Sequence, residues 1–326
     1  MKSNELSVLF ITEKWFDGIP SGGLTNNYHN LFGTFKLNYP NIKFNVFHLD
    51  ECATVLKTHI DNVIPSILEK TNPNLVIFSL LGKSGMNPTK FTYDLLKQKN
   101  IKMVFIWPDI GYDWGLPEIN NSLKNYADLH ICWGSEQANI VNDKLLWLWA
   151  PQNESLYYPC EESKKDINVS FIGATLYEER VRYLNYLLKN NVPITIKGGQ
   201  RQDKLESKDY ASYIRRSKIS INFPFCPSGF DQCKGRVWEI LASKSLLLER
   251  KNIPTSKMLI PNVHYVEYYN EEDLKNKIYY YLNNDEERIK IQNSGYEIYK
   301  QKYSSKHYWN EIFEKLQIQI IEDKHE

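Results

Sequence analysis

The sequence contains no long apolar run, no paired-cysteine motif and almost no net charge. Its longest apolar stretches, such as LVIFSLL at 75–81, are far shorter than the ~20 residues that a membrane-spanning helix needs. The N-terminal apolar run is too short for a signal peptide. The five cysteines are scattered, with no C-x-x-C pair, which is typical of free thiols in a reducing compartment. These absences predict a cytoplasmic protein with no transmembrane segment.

Charge and histidine are too evenly spread to indicate a polyanionic partner or a metal centre. The 40 lysines and arginines nearly balance the 39 aspartates and glutamates, for a net charge of +1. Composition therefore gives no electrostatic argument for binding nucleic acid or an anionic membrane. The seven histidines show no metal-ligand spacing, and there is no Walker loop or G-x-S-x-G motif. We therefore expect no metal and no cofactor.

What the sequence does contain is a regular alternation of short apolar runs and amphipathic stretches. Its 326 residues suffice for about two domains, and a charged linker with two prolines, residues 151–166, separates two such alternations. Strand–helix alternation is typical of parallel sheets with helices on both faces. We therefore predict an α/β protein of two Rossmann-like domains that face each other across a cleft. The predicted strands are 6–12, 43–49, 74–81, 101–109 and 128–135 before the linker and 167–174, 192–199, 219–225 and 245–250 after it, and the predicted helices include 53–71, 87–100, 177–191 and 208–218.

Four charged residues are crowded around the start of one predicted helix, in the stretch GFDQCKGRVWEILASK at 229–244. A helix that follows a parallel strand presents unpaired amides and a positive dipole end to the ligand-binding edge of the sheet. Lys234 and Arg236 add charge there, which favours a phosphate or diphosphate. Asp231 and Glu239 can accept hydrogen bonds from sugar hydroxyls, so the set fits a nucleotide sugar. The alternative is a surface ion pair between Arg236 and Glu239, with Asp231 as a helix cap.

Residues 167–310 resemble the C-terminal domain of GT-B glycosyltransferases, and most closely the "glycosyl transferases group 1" type and its CgeB-like spore-maturation relatives. The resemblance rests on the stretches VSFIGATLYEERVRYLNYLLKNNVPITIKGG, YIRRSKISINF and KGRVWEILASKSLLLE and on the tail from LIPNVHYVEYY onward. It implies a GT-B fold with an acceptor domain at 1–155 and a donor domain at 165–303. It also implies that the C-terminal helix, within 304–326, crosses back to the first domain.

The resemblance also implies roles for residues of the donor domain. The family's E-x7-E pair corresponds to Asp231 and Glu239, so Asp231 would face the donor sugar and Glu239 the ribose. Arg180, seven residues after Gly173, matches a basic residue that holds the donor diphosphate. The sequence departs from the family where Asp231 replaces a glutamate and where Ser243 and Lys244 replace a small residue and a glycine.

Further candidates lie at the ends of predicted strands. Gly198 and Gly199 end a strand near which the family places the nucleotide base, and they are otherwise turn residues. Gly22 and Gly23 follow the first strand and either bring amides near the donor phosphate or the acceptor, or simply form a turn. Asp109 follows the strand IKMVFIW and either orients or deprotonates an acceptor hydroxyl, or forms a turn beside a proline.

Together these features predict a glycosyltransferase that moves a sugar from a UDP- or GDP-linked donor to an acceptor hydroxyl. Arg180, Lys234, Arg236 and the helix N-terminus would stabilise the leaving diphosphate in place of a metal ion, and the resemblance favours retention at the anomeric carbon. The acceptor is left open among a glycan, a protein and a modified nucleic-acid base. The alternatives are a nucleotide-sugar epimerase on the same fold and a non-catalytic nucleotide-sugar-binding protein.

Overall fold

The computed structural model describes residues 2, 5–82, 84–108, 122–134, 143–198, 204–226, 229 and 231–321. Its contacts divide the chain into two compact units. Unit 1 comprises Met1–Leu148 with Ser305–Glu326, and unit 2 comprises Trp149–Ser304.

Unit 1 is built on a six-stranded sheet in which every neighbouring pair of strands is parallel, in the order β2-β1-β3-β4-β5-β6. Strands β1 and β3 are buried along their whole length, as expected for apolar strands that are covered on both faces. The strands are β1 Ser7–Thr12, β2 Lys43–His48, β3 Leu75–Ser79, β4 Lys102–Trp107, β5 Leu129–Trp133 and β6 Leu145–Leu148, and the helices are α1 Thr34–Asn38, α2 Leu49–Thr54, α3 Ile60–Thr71 and α4 Lys90–Gln98.

The single helix predicted over 53–71 is instead two helices, α2 and α3. The chain leaves the helical conformation between them, where Lys57 has a left-handed backbone with φ 54°. Helix α3 then starts after His59, whose side chain accepts a hydrogen bond from the amide of Asp61. The prediction missed this break because the apolar Val55 and Leu56 continue the periodicity, yet both side chains are more than half exposed.

Unit 2 is built on a five-stranded parallel sheet in the order β11-β10-β9-β7-β8. Its core lies where Phe171, Phe223 and Tyr268 pack together under the helices. The strands are β7 Ile167–Ile172, β8 Ile194–Lys197, β9 Ser217–Asn222, β10 Leu246–Arg250 and β11 Val266–Tyr268, and the helices are α5 Glu178–Lys189, α6 Ser207–Arg215, α7 Gly235–Ala242, α8 Ile253–Met258, α9 Glu271–Asn283 and α10 Asp285–Ile298.

The last helix, α11 (Ser305–Lys315), packs on unit 1. Its Trp309 is fully buried and makes edge-to-face contacts with Phe10 and Phe35 at centroid distances of 5.9 and 5.1 Å. The indole Nε1 of Trp309 donates to Thr34 Oγ1 at 3.0 Å. The C-terminal residues therefore complete the core of the first unit.

The predicted fold class, two parallel-sheet α/β domains surrounded by helices, is confirmed. In the part of the chain that the structure describes, no helix has both the length and the apolar character needed to cross a membrane.

Candidate functional site

The candidate site lies at the carboxyl edge of the unit 2 sheet, where β7, β8 and β9 end and helix α7 begins. Gly173 directly follows β7, and its N–H donates to Lys197 O at 2.9 Å, which ties the end of β7 to the end of β8. Helix α7 starts at Gly235, with Lys234 as its N-cap residue. Because parallel strands all end at one edge, residues that are distant in sequence meet there.

Two glycines leave the space that this edge requires. Gly173 has φ +148°, and a Cβ atom on it would lie 2.2 Å from Arg236 Nη2. Gly198 has φ +77°, and a Cβ atom there would lie 3.4 Å from the backbone nitrogen of Gly173. Residues other than glycine rarely adopt these backbone conformations. Because Gly173 has no Cβ, the Arg236 guanidinium can lie directly against the backbone there.

The Arg236 guanidinium is held by neutral groups. Its Nη1 donates to Asn222 Oδ1 at 3.0 Å, and its Nε donates to the Tyr210 hydroxyl at 3.2 Å. Its Cζ lies 5.1 Å from the centroid of the Phe171 ring, a distance at which cation and ring attract each other. Burial opposes the charge of Arg236, but Tyr210 and Glu239 outweigh this effect and raise its pKa.

Arg180, on α5, places a second guanidinium over the same ring. Its Cζ lies 5.3 Å from the Phe171 centroid and 4.9 Å from that of Tyr177, and its Nη1 donates to Ala174 O. Burial, and then the charge of Arg236, lower the pKa of Arg180 to about 10, so it is still charged at neutral pH. Among the described residues, neither arginine has an acidic partner within 4.0 Å.

Glu239, predicted to face a ribose, lies beside the Tyr210 phenol. Its side chain is only 5% exposed, and its Oε2 accepts from the Tyr210 hydroxyl at 2.8 Å. The phenol of Tyr157 lies near enough to lower the pKa of this carboxyl group. Burial raises the pKa of Glu239, against the opposing effects of Arg236 and the two phenols.

Asp231 and Lys234 contact residues other than Arg180 and Arg236. Asp231 forms an ion pair with Arg250, which also pairs with Glu179 at 3.0 Å. The Lys234 ammonium donates to Gln232 Oε1 at 3.1 Å and contacts Cys226 Sγ at 2.7 Å. Of the predicted donor-binding residues, the structure therefore brings Gly173, Gly198, Arg180 and Arg236 together, with Glu239 behind Arg236. Gly199 lies outside the described residues.

The predicted glycine loop of unit 1 forms two tight turns. The N–H of Gly22 donates to Ile19 O at 2.8 Å, and the N–H of Gly23 donates to Pro20 O at 3.3 Å. Both amides are thus used within the loop in this structure, as the turn interpretation expects.

Unit 1 also has a cavity of about 720 Å³ beside the ends of β3 and β4. Its lining combines the aromatic rings of Tyr93, Trp107 and Tyr126 with the amides of Asn87 and Asn125. Asp109, the predicted acceptor base, follows Trp107 by two residues but lies outside the described residues.

Three residues that contact Arg236 were not predicted from the sequence: Phe171, Tyr210 and Asn222. Asn222 and Phe171 lie at or next to the carboxyl ends of β9 and β7, but the predicted strands 219–225 and 167–174 extended past them and gave no such signal. No local signal singles out Tyr210, which reaches the site because α6 docks against β7 and α7.

A family model described as "Glycosyl transferase-like" matches residues 157–314, which span nearly all of unit 2 and most of α11. No curated protein matches the chain. The resemblance to glycosyltransferases is therefore confirmed for this part of the chain, whereas the CgeB-like subtype stays a prediction.

Solved structures share the fold along nearly the whole chain. Anabaena Alr3699/HepE, in complex with UDP and glucose, has a TM-score of 0.61 at 12% identity, covering 96% of this chain and 99% of that chain. Sucrose-phosphate synthase from Thermosynechococcus elongatus has a TM-score of 0.63 at 11% identity, with the same coverage of 96% and 99%. A putative UDP-N-acetylglucosamine 2-epimerase from Listeria monocytogenes has a TM-score of 0.55 at 11% identity, covering 97% and 96%. At these identities the similarity establishes the GT-B fold and no more.

Proposed function

We propose that this protein is a glycosyltransferase whose unit 2 binds the diphosphate of a nucleotide-sugar donor between Arg180, Arg236 and the backbone at Gly173. The observation that carries the proposal is a pair of guanidinium groups over one phenylalanine ring, with no carboxylate of the described residues within 4.0 Å of either. Two like charges held together in a partly desolvated site repel each other. A diphosphate bound to both would relieve that repulsion and form charge-assisted hydrogen bonds.

The same arrangement would assist the chemistry. When the bond between the sugar and the diphosphate breaks, negative charge builds up on the leaving oxygen. Donors that are already fixed around that position stabilise the charge without reorganisation. Arg180 remains protonated at pH 7 because its pKa is about 10, and the N-terminus of α7 adds the positive end of a helix dipole.

The finer assignments belong to the same proposal. A UDP-linked donor is supported by the fold shared with HepE, which was solved with UDP and glucose. We infer a metal-independent, retaining transfer, with the acceptor held by unit 1, where the aromatic and amide lining of the cavity suits a sugar ring. We place the reaction in the cytoplasm because all five cysteines are free thiols. The acceptor class stays open among a glycan, a protein and a modified nucleic-acid base.

Titration calorimetry with UDP, GDP and their glucose conjugates tests donor binding. We expect the wild-type protein to bind at least one of them, and Arg180→Met or Arg236→Met to weaken that binding about ten- to hundredfold, the loss expected for one charged hydrogen-bond donor. Arg216→Met is a matched control, because Arg216 pairs with Asp166 at the surface of the same unit. Absence of nucleotide binding at millimolar concentration, or equal losses in all three variants, would refute the proposal.

An epimerase is the second candidate, favoured by the Listeria neighbour. Product analysis separates the two activities. An epimerase converts one nucleotide sugar into another without any acceptor, whereas a glycosyltransferase releases free nucleoside diphosphate and needs an acceptor or water to do so.

A further inference from the structure

We infer that Glu249 is a positioning residue of the diphosphate site, and that it acts on the Arg236 guanidinium through Asn222. This inference rests on the proposed function and goes beyond it, because it links donor binding to the protonation of an acid that is fully buried. The link consists of three side chains in a row, from Glu249 on β10 through Asn222 on β9 to Arg236 on α7.

Asn222 stands between an arginine and an acid. Its Oδ1 accepts from Arg236 Nη1 at 3.0 Å. Asn222 and Glu249 are register partners on neighbouring parallel strands, so their side chains lie on the same face of the sheet. Against the larger effect of burial, the Asn222 amide lowers the pKa of Glu249, as a donor directed at a carboxyl oxygen does. An orientation of the amide that gives its oxygen to Arg236 therefore leaves its Nδ2 donor for Glu249.

Glu249 is a buried carboxyl group without a cationic partner. Among the described residues, no lysine, arginine or histidine nitrogen lies within 4.0 Å of its oxygens. Its Oε1 accepts from Asn252 Nδ2 at 3.2 Å and from Thr255 Oγ1 at 3.4 Å. Uncharged donors replace only part of the lost hydration, so burial raises the pKa of Glu249 to about 8. At pH 7 this acid is therefore mostly neutral and does not offset the charge of Arg236.

Ionisation of Glu249 would oppose a bound diphosphate. Besides the larger effects of burial, Arg236 lowers the pKa of Glu249, and Glu249 in turn raises that of Arg236. An ionised Glu249 would offset the positive charge of Arg236 and repel an anion held by it. By reciprocity, a bound diphosphate raises the pKa of Glu249 further. Donor affinity is then complete while Glu249 is protonated and falls as the pH rises through about 8.

Five other titratable residues surround Glu249, and they come from α7, from the segments before α7 and β11, and from β11 itself. They are Arg236, Cys233, Tyr265, Glu267 and Tyr268. Burial raises the pKa of the thiol and of both phenols, so these groups stay protonated between pH 7 and pH 9, and the guanidinium stays charged. The carboxyl group of Glu267 accepts from the Tyr265 hydroxyl at 2.9 Å. We therefore assign the change of charge near pH 8 to Glu249.

The ratio of donor affinities at pH 7 and pH 9 tests this link. UDP-glucose and GDP-glucose are suitable probes, because the diphosphate of a nucleotide sugar keeps its full charge over this range. We expect titration calorimetry to show about tenfold weaker binding at pH 9 than at pH 7 for the wild-type protein. The ratio should be near one for Glu249→Gln, whose side chain cannot ionise. Glu271→Gln is the matched control, since Glu271 pairs with the exposed Arg182, and it should keep the wild-type ratio.

Proton uptake on binding gives a second measurement. At pH 8, calorimetry in two buffers that differ in ionisation enthalpy should show that the wild-type protein takes up protons when it binds UDP-glucose or GDP-glucose, and that Glu249→Gln does not. Thr255→Val decides if Glu249→Gln does not fold. It removes a hydroxyl that, against burial, lowers the pKa of Glu249, so the fall in affinity should move to higher pH.

The outcomes also separate this inference from the proposed function. A wild-type ratio near one, or the same ratio in the wild type and Glu249→Gln, overturns the role of Glu249 and leaves the diphosphate site in place. A merely structural role would lower the affinity of Glu249→Gln equally at both pH values, which also counts against the inference. A wild-type protein that binds no nucleotide or nucleotide sugar refutes both.

Discussion

Replacing Gly173 with alanine should drive the Arg236 guanidinium out of its position. The new Cβ atom would lie 2.2 Å from Nη2 and 3.0 Å from Cζ of Arg236. Because non-bonded heavy atoms settle at about 3.5–4.0 Å, the guanidinium must retreat by roughly 1 Å or more. That displacement exceeds what the hydrogen bonds to Tyr210 and Asn222 can tolerate.

Gly173→Ala should lower both the affinity for a diphosphate and the stability of the fold, and the two effects can be measured separately. Loss of one charge-assisted hydrogen bond to a diphosphate is worth about 1.5–3 kcal/mol, or about ten- to hundredfold in affinity. Alanine at φ +148° adds backbone strain of about 1–3 kcal/mol to the folded state. Breaking the hydrogen bonds of Arg236 to Tyr210 and Asn222 adds a further loss of stability of about 1–3 kcal/mol for each bond.

Titration calorimetry with UDP and GDP measures the first effect, and urea denaturation measures the second. Gly229→Ala is the control for strain alone, since Gly229 has φ +88° and no atom of the described residues lies within 4 Å of the position that its Cβ would take. Gly85→Ala is a control with neither backbone strain nor a clash. Its Cβ would meet no atom of the described residues within 4 Å, and its backbone φ is not positive. If Gly173→Ala binds diphosphate as tightly as Gly229→Ala does, Arg236 does not contact the ligand from this position.

Two further predictions concern stability. Burial raises the pKa of Glu249 to about 8, above its unfolded value of 4.5. The stability that its protonation contributes is therefore complete below pH 4.5 and is lost as the pH rises through 8. Urea unfolding across this pH range should show that Glu249→Gln removes a decline in the free energy of unfolding on the order of a few kcal/mol, and an unchanged pH dependence would contradict the assignment. Trp309→Ala should lower the free energy of unfolding by about 3–5 kcal/mol, with Trp309→Phe losing less; a loss below about 1 kcal/mol would show that α11 is not part of the unit 1 core.

The fold was predictable because the most apolar strands are also buried at every position. β1 and β3 are buried at every position, so their composition reflects the environment directly. Helix ends were less predictable, as the break before α3 shows. There the backbone of Lys57 adopts a left-handed conformation, and neighbouring apolar residues give no sign of it.

Single residues of the site could be predicted from the sequence, but the contacts between them could not. Arg236 was identified from its position at a predicted helix start, which is a local feature, whereas Gly173 and Arg180 were identified through the family resemblance. Their mutual contact depends on which strands are neighbours, and strand order is not contained in any short stretch of sequence. The Phe171 ring that both guanidinium groups share was missed because a buried aromatic residue ordinarily serves only the core.

The spacing of Asp231 and Glu239 shows why a shared motif does not by itself fix a shared role. Asp231 precedes α7 and Glu239 lies within it, so helical periodicity does not relate their directions. Asp231 pairs with Arg250 of β10, whereas Glu239 receives the hydroxyl of Tyr210 from α6. Each acid is therefore assigned by the element that packs against it. Since that element supplies the Arg250 cation in one case and the Tyr210 phenol, which also accepts from Arg236, in the other, the two carboxylates lie in different surroundings.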